Sequence, residues 1–411
     1  MAGFVKEVMA RSDALAHVAG TLRLPWDNRG CEVPLNESVG LRIASCLVSD
    51  TKYPEYTRSL RDGYAVHSED VAAATPGTPT FLRKRGEVTM GHVPDFTILK
   101  GETAPIPTGG VLPCGADAVV MLEDTCAAGD WVEVRRGVQT GENVMQEGEE
   151  IKVGDKLLGR GEMIDFRSVS LLATLGVKNV FTASPRVNIL STGDEVVPVE
   201  TQHIPPGCVR DANGVSVCAM LRRYGFVSQY HGIISDDADA FEKKIEDELA
   251  RCDVLILSGG SSVGVRDQCS LVLEKLPPPG LLVRGINMVP GKPVLIAGCV
   301  EKKKLVISLP GHPLSCLTAA YVIAIPLLLR LIGAENEMHC GKVFLELAQD
   351  LPAKSGPEEF TPCHIDREGK LFPLRAKSGY VFGLASADGF IRIPENCETM
   401  RAGEIAEVWI W

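Results

Sequence analysis

Four short segments of this chain carry residue types suited to holding a phosphorylated ligand, and each follows an apolar run. Val187-Asn188-Ile189-Leu190 leads into Ser191-Thr192-Gly193-Asp194-Glu195, and Gly232-Ile233-Ile234 leads into Ser235-Asp236-Asp237. Val254-Leu255-Ile256-Leu257 leads into Ser258-Gly259-Gly260-Ser261-Ser262-Val263-Gly264, with Asp267 just beyond. Val306-Ile307-Ser308-Leu309 leads into Pro310-Gly311-His312-Pro313-Leu314-Ser315. Glycine lets backbone N–H groups approach a ligand closely, and Ser and Thr hydroxyls donate to phosphate oxygens. Carboxylates beside a phosphate repel it unless a cation intervenes. Asp194, Glu195, Asp236, Asp237 and Asp267 therefore point to Mg²⁺, commonly held by one or two carboxylates plus phosphate. In the bland alternative the glycines are turns and the acids are solvated helix caps. One such loop favours that reading; four at equivalent places in a sheet favour a site.

The elements that must position these loops alternate between strand and helix. Strands are expected at 187–190, 226–234, 254–257 and 305–309. Helices are expected at 165–175, stopping at Gly176, at 214–224 with Asn213 as N-cap and Gly225 as stop, and at 239–251. A long apolar helix follows the last strand. This alternation implies a parallel sheet covered on both faces. Ligands bind such sheets at the carboxyl ends of the strands, so the four loops would share one crevice. Upstream, Phe4, Val5, Val8, Met9 and Leu15 fall on one helical stripe, and 36–49 has the pattern of a capped helix. From 50 to 148, short strands broken by Gly and Pro read as an all-β insert. After Gly333, strands at 343–347, 360–365, 370–374 and 404–411 suggest a small closing β-domain. The fold class expected is therefore multidomain α/β plus β, in line with a length of 411 residues, about two to four domains.

Composition excludes several functions. The formal net charge is -11, which argues against a general nucleic-acid binder, since that needs a basic surface to displace counterions. The 13 cysteines form no C-x-x-C pair, and their scatter fits a reducing cytosol. The N-terminal residues lack the apolar core of a signal peptide. The stretch 317–332 is short for a membrane span and contains Pro326 and Arg330, so a buried helix is expected. A cytoplasmic protein without membrane or nucleic-acid partners follows from these readings. No G-x-S-x-G elbow, histidine cluster or P-loop is present. His312 is the one histidine in a candidate loop. Two further segments, Arg58-Ser59-Leu60-Arg61-Asp62-Gly63-Tyr64-Ala65-Val66 and Ile106-Pro107-Thr108-Gly109-Gly110, read locally as ordinary turns.

Those two segments gain meaning from a resemblance. The chain resembles the molybdopterin molybdotransferases and the homologous C-terminal domain of gephyrin. The matching blocks are Asp62-Gly63-Tyr64-Ala65-Val66, Thr108-Gly109 with Gly115-Ala116-Asp117-Ala118-Val119-Val120, Gly148-Glu149-Glu150-Ile151, Ser191-Thr192-Gly193-Asp194-Glu195, Ser258-Gly259-Gly260 with Ser262-Val263-Gly264, Pro290-Gly291-Lys292-Pro293, and Leu309-Pro310-Gly311 with Pro313 and Ser315. They stand in the family's order and cover most of the chain.

The resemblance implies an α/β pterin-binding subdomain (1–26 and 177–333), a linking subdomain (27–49 and 149–176), a β insert (50–148) and a C-terminal β-barrel-like subdomain (334–411). It implies a homodimer whose active site lies between the pterin-binding part of one protomer and the insert of the other. The reaction implied is insertion of molybdate or tungstate into adenylyl-molybdopterin with release of AMP, giving molybdenum cofactor. Carried over by motif, Asp62, Thr108, Glu195, Asp236 and Asp267 would be catalytic. Glu195, Asp236 and Asp267 would hold Mg²⁺. Thr192, Gly193, Asp194, Ser258, Gly259, Gly260, Ser262, Gly264, Lys292, Pro310, Gly311, His312 and Ser315 would bind substrate, while Glu150 and Asp237 stay open. Implied partners are a molybdopterin adenylyltransferase and maturation proteins of molybdoenzymes or tungstoenzymes. The rival readings are a pterin adenylyltransferase, which lacks the insert motifs, and a non-catalytic gephyrin-like scaffold. Val289 replaces the first lysine of the family's K-P-G-K, His312 the asparagine of P-G-N-P, and Glu150 a usual aspartate. Ser59-Leu60-Arg61 replaces the commoner S-A-M. His312 is then a candidate to supply the cation that Val289 lacks.

Overall fold

The computed structural model describes residues 8–26, 30–259, 263–334, 341–374 and 377–411, with the backbone alone for 263–267. The chain divides into two compact units, Leu47–Leu157 and the remainder.

The larger unit is built on a six-stranded sheet. Its strands are β1 (Val187–Thr192), β2 (Ser228–Ile234), β3 (Val254–Gly259), β4 (Pro279–Arg284), β5 (Leu295–Cys299) and β6 (Lys304–Leu309), in the order β2-β1-β3-β6-β5-β4. The first four strands in that order are parallel, as the alternating pattern requires. β5 runs antiparallel to both its neighbours, β6 and β4, which corrects the expectation of a purely parallel sheet. The reason is local: β5 and β6 are joined by a hairpin turn at 300–303, too short for a crossover helix.

Side-chain alternation along the strands feeds two cores. Val187, Ile189, Val254, Ile256, Leu305 and Ile307 pack on one face with Val217, Leu221 and the apolar helix of 313–332. Leu190, Leu255, Leu257 and Val306 pack on the other with Phe241, Ile245 and Leu249 of the helix Ala238–Arg251. Burial on both faces explains why these strands read as unbroken apolar runs.

The long apolar helix comprises Pro313–Ala319, a π-helical turn at Ala320–Ala324 and Ile325–Ile332. The π-turn sits just before Pro326, whose ring nitrogen cannot donate to a regular helical ladder. By length and composition the run Pro313–Ile332 could cross a membrane, but its side chains are largely buried within the protein, as a core helix requires.

Several local expectations hold. The helix Phe166–Thr174 is capped by Asp165, whose carboxylate accepts from the N–H groups of Arg167 and Ser168. Others need correction. The N-terminal helix is Arg11–Thr21; it holds Leu15 of the apolar stripe, buried, while Val8 and Met9 precede it and Phe4 and Val5 lie outside the described residues. The segment 36–49 is not a helix. Only Leu35–Glu37 forms a 3₁₀ turn, and Arg42 and Ile43 then pair with Met163 and Thr182 in isolated bridges. Arg42 is buried, its guanidinium donating to the carbonyls of Tyr224 and Gly161 at 2.7 Å each, so tertiary contacts override the local periodicity.

The C-terminal strands Lys342–Glu346, Glu358–Ile365, Leu371–Pro373 and Ile405–Ile410 form as expected, joined by Gly389–Ile393, which the sequence reading missed. Phe360, Phe390 and Trp409 of this sheet, with Trp411 just beyond it, pack around Tyr321 of the apolar helix or around one another.

The smaller unit is β-rich, as anticipated. Its six-stranded sheet runs Ala118–Met121, Gly63–Val66, Glu102–Ile106, Thr80–Lys84, Trp131–Val134, Thr125–Ala128. Both faces are buried, with Tyr64, Val66 and Val120 on one side and Ala65, Val119 and Ile106 on the other. At Gly63 a Cβ would lie 2.0 Å from the Val120 carbonyl oxygen, so the strand pairing itself demands glycine after Asp62.

Candidate active site

The sheet order places the ends of β2, β1, β3 and β6 side by side. The loops behind β1, β3 and β6 line a cavity of about 480 Å³. Of the expected site residues, Thr192, Glu195, Ser258, Gly259, Gly311 and His312 line it. Its floor is tied together by side chains. The hydroxyls of Ser191 and Ser258 lie 2.9 Å apart, joining β1 to β3. The Asn213 amide donates to the Gly311 carbonyl at 2.8 Å, joining the next helix to the β6 loop. At Gly259 the backbone takes φ +116°, and a Cβ would lie 2.3 Å from the Thr192 carbonyl oxygen. Only glycine fits this close approach of β3 to β1.

The β2 loop meets the β1 loop at the edge of this group. The Gly193 N–H donates to the Ile234 carbonyl, and the Asp236 N–H donates to the Asp194 carboxylate at 3.1 Å. Burial pushes the Asp236 carboxyl above its ordinary range. The neighbouring charges of Asp194 and Glu195 push the same way, against a backbone N–H of Asp194 that favours the ionised form. One Asp236 carboxylate oxygen is buried without a hydrogen-bond partner. An unpartnered carboxylate oxygen beside two further carboxylates is an environment that a cation would relieve. Among the described residues no group of three or more His, Cys, Asp or Glu side chains is placed to hold a metal ion by itself, Asp194, Glu195 and Asp236 included.

Other expected residues take other places. Asp237 caps the helix Ala238–Arg251, accepting from the Ala240 N–H at 2.9 Å, which is the bland role weighed for it. Ser315 is buried inside the helix Pro313–Ala319 and Pro310 beneath the β6 loop; neither lines the cavity. Lys292 is exposed in the turn before β5 and does not line it either. Val289 sits in the short strand Met288–Val289, paired with Glu359, also off the cavity. Gly260 and Ser262 lie outside the described residues. Gly264 and Asp267 fall on the helix Val263–Glu274, where the backbone alone is described.

Sequence reasoning missed part of the lining. Arg210, Asp211 and Asn213 border the cavity, as do Gly379 and Val381 from the C-terminal region. Asn213 was expected to be an N-cap. Instead Asp211 receives the Gly214 N–H at 3.0 Å and the Tyr230 hydroxyl at 2.5 Å, which frees the Asn213 amide for Gly311. The signal available was the polar run Arg210-Asp211-Ala212-Asn213 at a helix start; for Gly379 and Val381 there was none.

In the smaller unit, Asp62 and Thr108 come together. The Thr108 N–H donates to the Asp62 carboxylate at 2.7 Å, and the Gly109 N–H donates to the Ser59 carbonyl at 2.7 Å. Both side chains are exposed. Two turns that looked unremarkable in sequence thus present one carboxylate and one hydroxyl to solvent side by side. Glu150 is exposed in a turn of the same unit.

Residues 8–176 match the MoeA N-terminal region (domain I and II), residues 188–330 a probable molybdopterin binding domain, and residues 345–411 the MoeA C-terminal region (domain IV). A putative molybdopterin biosynthesis protein of Methanocaldococcus jannaschii is 30% identical over 389 residues, 92% of each chain. The chain belongs to the MoeA family. A molybdopterin molybdenumtransferase of Bacillus subtilis is 29% identical over 386 residues, 92% of this chain and 88% of its own. A crystal structure of the molybdopterin biosynthesis MoeA protein from Pyrococcus horikosii superposes with a TM-score of 0.81 at 33% identity, covering 98% of this chain and 99% of that one. The curated relatives named molybdopterin molybdenumtransferase make this a family of enzymes in molybdenum cofactor biosynthesis.

Proposed function

We propose that this MoeA protein inserts molybdate or tungstate into adenylyl-molybdopterin and releases AMP. The observation that carries the reading is the cavity of about 480 Å³ at the carboxyl ends of parallel strands, lined by Glu195, with Asp194 next to it in the chain and Asp236 bonded to Asp194. Its volume suits a ligand of nucleotide or pterin size, within the roughly 300–1,000 Å³ of small-molecule sites. Ser258, the Gly259 and Gly311 backbone, and His312 supply donors for the phosphates. Asp194, Glu195 and Asp236 would hold Mg²⁺, with Asp267 added by motif. When bound, that ion neutralises pyrophosphate charge.

In the hydrolytic half of the reaction a water oxygen joins phosphorus and the phosphoanhydride P–O bond breaks. AMP leaves, and the pterin keeps its own phosphate and its dithiolene for the metal. Asp62, whose carboxylate accepts the Thr108 N–H, would accept the proton from that water. The resemblance implies that the insert serves the cavity of a second protomer, so the reading includes a homodimer. It also includes the four-part division of the chain, a cytoplasmic setting, and a partner adenylyltransferase that supplies the substrate. The insert with its Asp62–Thr108 pair favours this over a stand-alone adenylyltransferase.

The test is to incubate the purified chain with adenylyl-molybdopterin, Mg²⁺ and molybdate or tungstate and to measure AMP. Oxyanion-dependent AMP release is expected. Tight binding of the adenylylated pterin without any AMP release would instead support the scaffold reading. Light scattering should give twice the monomer mass of 44.2 kDa.

A further inference from the structure

The cavity has an electrostatic problem. Glu195 and Asp211 line it, and Asp194 and Asp236 stand on the adjoining loops, while its proposed ligand is a polyanion. Lys292, the cation expected from sequence, does not line it. Among the described lining residues Arg210 is the one lysine or arginine.

Arg210 is fixed beside the β1 loop by its backbone. It lies in the two-residue strand Val209–Arg210, which runs parallel to Val196–Val197. The Val209 N–H donates to the Glu195 carbonyl at 2.8 Å and the Asp211 N–H to the Val197 carbonyl at 2.9 Å. The guanidinium is exposed, and its Nε and Nη2 donate to the Thr201 carbonyl at 3.2 and 2.6 Å. Among the described residues its hydrogen-bond acceptors are the neutral carbonyls of Thr201 and Gln202. Pinning a neutral carbonyl needs a donor but not a charge. The Nη1 group keeps two N–H donors for another acceptor, and a guanidinium matches the oxygens of a phosphate.

We propose that Arg210 binds a tetrahedral oxyanion of the ligand in this cavity. The proposal rests on the molybdenumtransferase reading for the identity of that anion: the phosphate of the adenylyl group, or the metalate itself. Arg210 also supplies the cation that Val289 does not, and unlike Val289 it lines the cavity. His312, on the opposite loop, need not carry that charge alone.

The test compares the full chain with its Arg210→Gln and Arg210→Lys variants by calorimetry against AMP, adenosine and tungstate. Glutamine keeps a donor for the Thr201 carbonyl but loses the charge. AMP affinity should fall about ten- to a hundredfold in Arg210→Gln and less in Arg210→Lys, with adenosine affinity unchanged. The salt dependence of AMP binding should also weaken in Arg210→Gln. A loss confined to tungstate would assign Arg210 to the metalate instead. Wild-type affinity for both anions in Arg210→Gln overturns the proposal. So does an equal loss of AMP and adenosine, which would mark Arg210 as a pin for its turn. If the wild-type chain binds neither AMP nor tungstate, the molybdenumtransferase reading itself fails and the role of Arg210 goes with it.

Discussion

Gly259→Ala is the most searching perturbation of the cavity, because its effect can be worked out from two distances. The new Cβ would stand 2.3 Å from the Thr192 carbonyl oxygen and 2.6 Å from its hydroxyl, where ordinary contact begins near 3.4 Å. The strands must separate by the difference, 3.4 − 2.3, or about 1.1 Å. Thr192 and Gly259 are register partners at the open ends of β1 and β3, so the whole displacement falls on the cavity floor. A misplacement of about 1 Å costs roughly a hundredfold in rate, near 2.7 kcal/mol of transition-state stabilisation. The backbone at φ +116° adds about 1–3 kcal/mol of strain for a residue with a Cβ. Gly356→Ala separates the two effects: its φ is +117° and nothing lies within 4 Å of the new Cβ. Both variants should lose stability in urea titrations. Only Gly259→Ala should lose kcat/KM for AMP release, by about a hundredfold. Wild-type kcat/KM in a folded Gly259→Ala protein would refute the idea that the β1–β3 junction forms the reactive floor.

Asp62→Asn keeps an acceptor for the Thr108 N–H, so the fold should survive while AMP release drops about a hundredfold or more and AMP binding is kept; wild-type turnover would remove Asp62 from the mechanism. Asp236→Asn should raise the melting temperature without Mg²⁺, since it deletes a buried charge beside Asp194 and Glu195. Mg²⁺ at a hundred times its Kd should then stabilise the wild type by about 2.7 kcal/mol but the variant much less, and equal stabilisation of both would rule Asp236 out as a ligand. Burial alone would raise the Glu407 carboxyl, but hydrogen bonds from Arg392, Trp409 and Lys342 outweigh it and hold it at about 2. Because its folded value is depressed, the stabilisation is present above 4.5 and lost as pH falls toward 2. Glu407→Gln should lower the melting temperature at neutral pH and flatten its acid dependence, and an unchanged acid profile would count against this.

The site was legible where strand chemistry and strand order agree. An apolar run ending in Ser-Thr-Gly or Ser-Gly-Gly marks both a buried strand and the loop behind it, so Thr192, Ser258 and Gly259 could be placed before any geometry was known. β4 and β5 were not among the expected strands: β4 opens on Pro279-Gly280 and is only partly buried, and β5 reverses direction through a short hairpin turn. Residues 36–49 misled because a capped-helix pattern gave way to the bridges of Arg42 and Ile43 and to the burial of Arg42, which no local pattern signals. Asp62 and Thr108 carry no local sign of function. Their pairing depends on two turns, 46 positions apart in sequence, being brought together by the insert's sheet.

The acidic residues divide by whether a carboxylate oxygen is left buried without a partner. Asp165 and Asp237 stand one residue before a helix and receive its free N–H groups. Asp211 receives one such N–H and the Tyr230 hydroxyl. These carboxylates are satisfied by the protein. Asp236 is not: one of its oxygens is buried without a partner, and its charged neighbours oppose ionisation. Sequence position cannot separate Asp236 from Asp237, since they are adjacent and equally acidic. The start of the helix Ala238–Arg251 separates them, giving Asp237 the cap and leaving Asp236 turned toward Asp194. The same logic applies to cations. Lys292 was favoured by its motif, yet Arg210 lines the cavity because Val209 and Asp211 on either side of it are bonded to the β1 loop. A carboxylate the fold leaves unsatisfied and an arginine held only by neutral carbonyls are the two charges that a metal-bound, phosphorylated ligand would complete.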